Sequence, residues 1–106
     1  MNRANYTFPA VFSYANDGIT ITFPDLPGCI SEGESDEEAI KNAMEVMELW
    51  LASSELDGSP IPEPTHLLEV KTKEDERAVL VVADMTRARR EIRPRYVRKN
   101  LTIPEW

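Results

Sequence analysis

Apolar and polar positions alternate at the start of the chain. Tyr6, Phe8, Ala10 and Phe12 interleave with Thr7, Pro9, Val11 and Ser13, the period of a β-strand. Pro9, which has no N–H to give a ladder, places that strand at an edge or at a bulge. Asn16-Asp17-Gly18 signals a tight turn. Ile19, Ile21 and Phe23 then alternate with Thr20 and Thr22, completing a hairpin with one face in a core. Pro24-Asp25-Leu26-Pro27-Gly28 breaks the alternation, and Cys29 to Gly33 fits a short third strand.

The period changes after Ser35. Ser35-Asp36-Glu37-Glu38 has the spacing of a capping box, and its acidic residues suit a helix N-terminus. Ile40, Ala43, Met44, Met47, Trp50 and Leu51 recur every three or four residues, with Lys41, Glu45 and Glu48 between them. This predicts an amphipathic helix from about Asp36 to Leu56, stopped by Asp57-Gly58 and the prolines at 60, 62 and 64. His66 to Val70 can form a strand, and the apolar run Ala78 to Ala83 suits a buried one. Met85 to Arg95 is basic and fits no single element. Val97, Leu101 and Ile103 alternate with Arg98, Asn100 and Thr102, a last strand pattern.

At 106 residues this is one domain, with enough chain to bury a core. No apolar run nears the roughly 20 residues that span a bilayer. The single cysteine cannot form an internal disulfide, so a cytoplasmic protein is expected. Charge divides the chain more sharply than hydropathy does. Residues 1–86 hold 5 Lys/Arg against 17 Asp/Glu, a net of −12, whereas residues 87–106 hold 7 against 2, a net of +5. An acidic body suits a basic partner and a basic tail suits nucleic acid.

Catalytic chemistry finds little support in the residues. Cys29 has no basic neighbour or helix N-terminus close in sequence to activate it, and a small apolar role fits it better. His66, the only histidine, has no carboxylate spaced to orient it as a base. Asp17, Asp25, Glu32 and Glu34 could bind a hard cation, but their turn and strand positions read more simply as solvated surface. No metal, cofactor or enzymatic activity is expected. In the tail, Arg98, Lys99, Asn100 and Thr102 are candidates for DNA contact, because Arg and Asn read base edges in the major groove, which admits a two-stranded ribbon. A charged edge strand that blocks aggregation is the competing reading of the same residues.

The segments YTFPAVFSYANDGITITFPDLPGCISEGES, DEEAIKNAMEVMELWL and DGSPIPEP together resemble the HicB antitoxin family of HicA–HicB type II toxin–antitoxin systems. The resemblance implies an α+β, partial ribonuclease-H-like fold. It would have a three-stranded antiparallel sheet, one long helix and a further strand (β-β-β-α-β), with a basic C-terminal strand and without the carboxylates of a working ribonuclease H. It makes FPDLPGC the turn between the second and third strands, with Pro24 and Pro27 fixing φ and Gly28 permitting a positive one.

It also implies a domain over 1–84 that masks a small basic RNA-cleaving toxin. From charge and expected exposure, the toxin contacts would be Tyr14, Asp17, Asp25, Glu32 and Glu34. RKNLTIPEW resembles the strand that opens a ribbon-helix-helix DNA-binding domain, so residues 85–106 read as the start of such a domain, truncated before its helices. The expected protein is an antitoxin that in complete form represses its own operon, as a homodimer or homotetramer. A solitary transcriptional regulator sensing another ligand is the alternative.

Overall fold

The computed structural model describes residues 4–90. Strands β1 (Asn5–Ala15), β2 (Gly18–Thr22) and β3 (Ile30–Gly33) precede helix α1 (Asp36–Asp57), and β4 (Glu76–Asp84) follows a short 3-10 turn at Leu67–Glu69. The four strands form one antiparallel sheet in the order β3-β2-β1-β4. The expected α+β order is therefore present, with Ala78 to Ala83 inside the further strand. His66 to Val70 is not a strand. The Nδ1 atom of His66 accepts from the Leu68 N–H at 3.3 Å and caps the 3-10 turn. The free side of β1 is taken instead by β4, in register from Asn5↔Asp84 to Ser13↔Glu76.

Pro9 lies in β1, which is flanked by strands on both sides, yet the local reasoning behind the edge expectation holds. Tyr14 N–H donates to Asp75 O and Met85 N–H to Ala4 O, both at 2.9 Å. Backbone groups alternate sides along a strand, so the even-numbered residues of β1 face β4 and the odd-numbered ones face β2. The β2 ladder begins only at Val11. Pro9 therefore turns its missing N–H toward a side where no described strand pairs with it.

One face of the sheet is packed by α1. Tyr6, Phe8, Ala10, Phe12, Ile19, Ile21, Phe23, Val81 and Ala83 meet Ala39, Ala43, Met47, Leu51 and Ala52, all buried. The helix stripe differs from the predicted one. Ile40 is 48% exposed and small alanines take the sheet-facing positions. The reason is close approach: a Cβ on Gly33 would lie 2.7 Å from Ala39 N and 3.1 Å from Ala39 Cβ, so β3 and the first turn of α1 nearly touch. Ser35 caps that turn as expected, its Oγ accepting from Glu38 N–H at 3.2 Å. Glu38 reaches back one residue further than a capping box requires, to the N–H of Glu34 at 2.6 Å. Residues 85–90 continue from β4 as helix, with Met85 and Ala88 in the core. No helix among the described residues is long and apolar enough to cross a membrane.

Candidate functional site

The stretch from Phe23 to Cys29 is built as a structural turn. Leu26 N–H donates to Phe23 O and Cys29 N–H to Leu26 O, both at 3.0 Å, so two tight turns follow one another. Gly28 adopts φ +81, which a side chain would disfavour. Leu26 and Cys29 are 1% exposed and plug the core. The strand starts one residue after Cys29, at Ile30. Burial pushes the Cys29 thiol up to about 12, so it stays protonated at neutral pH and is not a nucleophile.

Asp25 leaves this turn to hold the proline-rich loop. Its two carboxylate oxygens accept from Thr65 N–H at 2.8 Å and from Thr65 Oγ1 at 2.6 Å. The Trp50 indole N–H donates to Pro27 O at 3.0 Å, tying the turn to α1 as well. Between turn, helix and loop lies a largely apolar cavity of about 800 Å³, floored by Cys29 and Val46 and flanked by Leu49, Trp50, Pro60 and Pro62.

The other sequence candidates gather elsewhere. Asp17 in the β1–β2 turn, Glu32 in β3 and Glu34 before α1 line one groove of about 400 Å³ together with Glu38 and Asn42. Asp17, Glu32 and Glu34 are exposed. The Asn42 side-chain N–H donates to Glu32 O at 2.8 Å and fixes β3 against the helix. Tyr14 stands nearby, 40% exposed at the end of β1, donating its hydroxyl to Asp36 Oδ1 at 2.8 Å. That bond holds the phenol above its ordinary range. The structure thus brings Asp17, Glu32 and Glu34 together at one end of the molecule, with Tyr14 beside Asp36, and places Asp25 in a separate structural role. Glu38 and Asn42 were missed as groove residues, and their helix spacing of four from one another was the available signal.

A second acidic pair was also missed, and it is not a surface feature. Glu48, with its side chain 7% exposed, accepts from Arg87 at 2.6 Å and from Asp84 N–H at 2.9 Å. Glu55 accepts from Arg89 at 2.7 and 2.8 Å and from the Tyr6 hydroxyl at 3.4 Å. Hydrogen bonds to Glu55 hold the Arg89 guanidinium above its ordinary range. Two arginines of the basic tail are thereby bound to the acidic body. Arg98, Lys99, Asn100 and Thr102 lie outside the described residues. Among the described residues, no group of three His, Cys, Asp or Glu side chains could hold a metal ion.

A family model described as the HicB-like antitoxin of bacterial toxin–antitoxin system matches residues 8–106. A protein of the rep–hol intergenic region of Haemophilus phage HP1 is 27% identical over 79 residues, which is 74% of this chain and 59% of that relative. The chain therefore spans less than two thirds of that relative's length. Among solved structures, a toxin–antitoxin complex from Streptococcus pneumoniae superposes with a TM-score of 0.71 at 19% identity, covering 78% of this chain and 71% of the other. A HicA3 and HicB3 toxin–antitoxin complex superposes with a TM-score of 0.57 at 23% identity, covering 74% and 95%. At those identities the two superpositions establish the shared fold.

Proposed function

The chain belongs to the HicB-like antitoxin family of bacterial toxin–antitoxin systems, and from that premise we propose that it neutralises a small basic, mRNA-cleaving toxin of the HicA kind by covering it. The observation that carries this reading is the family match across residues 8–106, and the HicA3 and HicB3 complex supplies the kind of partner. The surface that meets the toxin is the groove of Asp17, Glu32 and Glu34, with Tyr14 at its side. Its exposed carboxylates, which make no ion pair among the described residues, fit a basic partner and would speed encounter. Asp25 contributes indirectly, by holding the loop through Thr65. Neutralisation needs no catalysis and no cofactor, because occluding the toxin is sufficient.

In this proposal residues 1–84 bind the toxin and residues 85–106 carry DNA contact. Arg98, Lys99, Asn100 and Thr102 would touch the operator of the chain's own operon. The acting form is a homodimer or homotetramer in the cytoplasm.

The test is to co-purify the chain with the product of the adjacent small reading frame and to assay RNA cleavage with and without it. A stable complex with suppressed cleavage is expected. Unimpeded cleavage with no complex would overturn neutralisation and leave the solitary-regulator reading in its place.

A further inference from the structure

β4 forms one margin of the sheet, and it lacks the usual protections of a margin. It is nine residues long, contains no proline, and runs uncharged from Ala78 to Ala83. The hydrogen bonds at its two ends set which groups face outward. Asp75 O and Met85 N–H both bond toward β1, so the odd-numbered residues of β4 serve that ladder. The even-numbered residues turn their backbone groups away from the sheet. Glu76 N–H is taken by Lys73 O at 3.1 Å, and Asp84 N–H by the Glu48 carboxylate. The N–H and C=O groups of Ala78, Leu80 and Val82 find no such partner among the described residues. Their side chains lie on the face away from α1, where Leu80 and Val82 are each 50% exposed and Leu68 of the neighbouring 3-10 turn is 87% exposed.

We propose that this margin is the contact between two copies of the chain, paired antiparallel through β4 about a two-fold axis at Leu80. The chemistry favours a second copy over any other strand. With Leu80 opposite Leu80 and Ala78 opposite Val82, all three open donors and all three open acceptors of each copy are satisfied at once, with an aliphatic cross-strand pair at every position. The Glu76 and Asp84 carboxylates then oppose one another at the two ends and stop the ladder there. An isologous pairing of this kind consumes the margin and closes at two. The sheet order places β4 at the opposite margin from β3 and its acidic groove. Such a dimer carries two grooves facing outward, both free for a basic partner. The inference rests on the oligomeric reading above and deepens it by naming the surface.

The test is sedimentation velocity on the full 106-residue chain across a wide concentration range, with the variants Leu80→Lys and Leu80→Pro. The first places an ammonium opposite its own copy. The second removes an outward N–H and leaves the β1 ladder whole, as Pro9 does in β1 directly across from it. The wild type is expected to sediment at twice its 12.1 kDa mass. Both variants should keep their far-ultraviolet circular dichroism and bind their own kind more than about tenfold more weakly, the proline because two backbone bonds are lost across the axis and the lysine because two ammonium groups then face one another in place of an aliphatic pair. If the proline variant does not fold, the lysine variant alone decides. A wild type that stays monomeric overturns both this inference and the oligomeric reading. A wild type that dimerises while a folded Leu80→Lys dimerises equally well overturns this inference alone. Toxin capture, measured in parallel, should be unchanged in Leu80→Lys. Its loss with self-association unaltered would assign the margin to the toxin and overturn the pairing of copies.

Discussion

The two ends of α1 use the same residue types for opposite purposes. Toward the C-terminal end, Glu48 and Glu55 are nearly buried and each holds an arginine from the segment after β4. Beside the N-terminal end, Asp17, Glu32 and Glu34 face water around a shared groove and make no ion pair among the described residues. A carboxylate that has been taken out of water must be paired, and its removal strands the cation and the N–H it satisfied. A carboxylate left in water contributes almost nothing to stability and keeps its field for a partner. The body's formal charge of −12 is therefore concentrated where it can be felt, since part of it is neutralised internally at the other end.

Substitutions can break or sharpen that contrast. Glu48→Ala should have the largest effect, about 2–3 kcal/mol in a urea titration, because the Asp84 N–H loses its buried acceptor and the carboxylate that ties Arg87 to the helix is gone. Arg87→Ala should cost a comparable amount, because it leaves the buried Glu48 carboxylate, 7% exposed, without that cation. A loss near zero for Arg87→Ala would show that the pair acts as a surface bridge. Gly33→Ala tests the groove end for rigidity: with Ala39 N only 2.7 Å from the added carbon, about 2 kcal/mol of stability should go, read as a lowered melting temperature. Asp25→Asn should cost about 1–2 kcal/mol, because Thr65 then bonds to a neutral acceptor, and loop 59–65 should exchange its amide hydrogens faster. The smallest stability effect belongs to the triple variant Asp17→Asn, Glu32→Gln, Glu34→Gln, within about 0.5 kcal/mol of wild type. In stopped-flow mixing with the toxin the same variant should associate about tenfold more slowly and lose most of its salt dependence. A large stability loss in the triple variant would erase the distinction between the two ends.

Much of this fold is legible in the sequence wherever one period dominates. The β1–β2 hairpin and α1 follow from period two and period three-to-four, and Ser35 marks the helix start. The helix stripe was shifted because alanines carry little hydrophobic signal, and only the contact with Gly33 shows why Ala39, rather than Ile40, must face the sheet. His66 to Val70 has strand composition, but which run joins β1 is decided by register over a long separation, and that competition is invisible locally. The groove residues were identifiable by charge and turn context. The separate role of Asp25 depends on Thr65, forty residues away, and the pairing of Arg87 with Glu48 spans nearly as far. Charge counts read those arginines as part of a basic tail, whereas geometry binds them to the body.

The β1–β4 ladder has a consequence for the time course of assembly. β1 meets β2 across a two-residue turn, yet its other side waits for a strand that joins Asn5 to Asp84. Contacts of that sequence separation carry a loop-closure cost and form late. During synthesis the hairpin, β3 and α1 can collapse together while one side of β1 remains open, and the sheet closes only once residue 84 has left the ribosome. The arginines that lock α1 follow within five residues of that point. The last part of the described chain to be made is thus the latch for the first, and a nascent chain cut short before it would present β1 as an open edge.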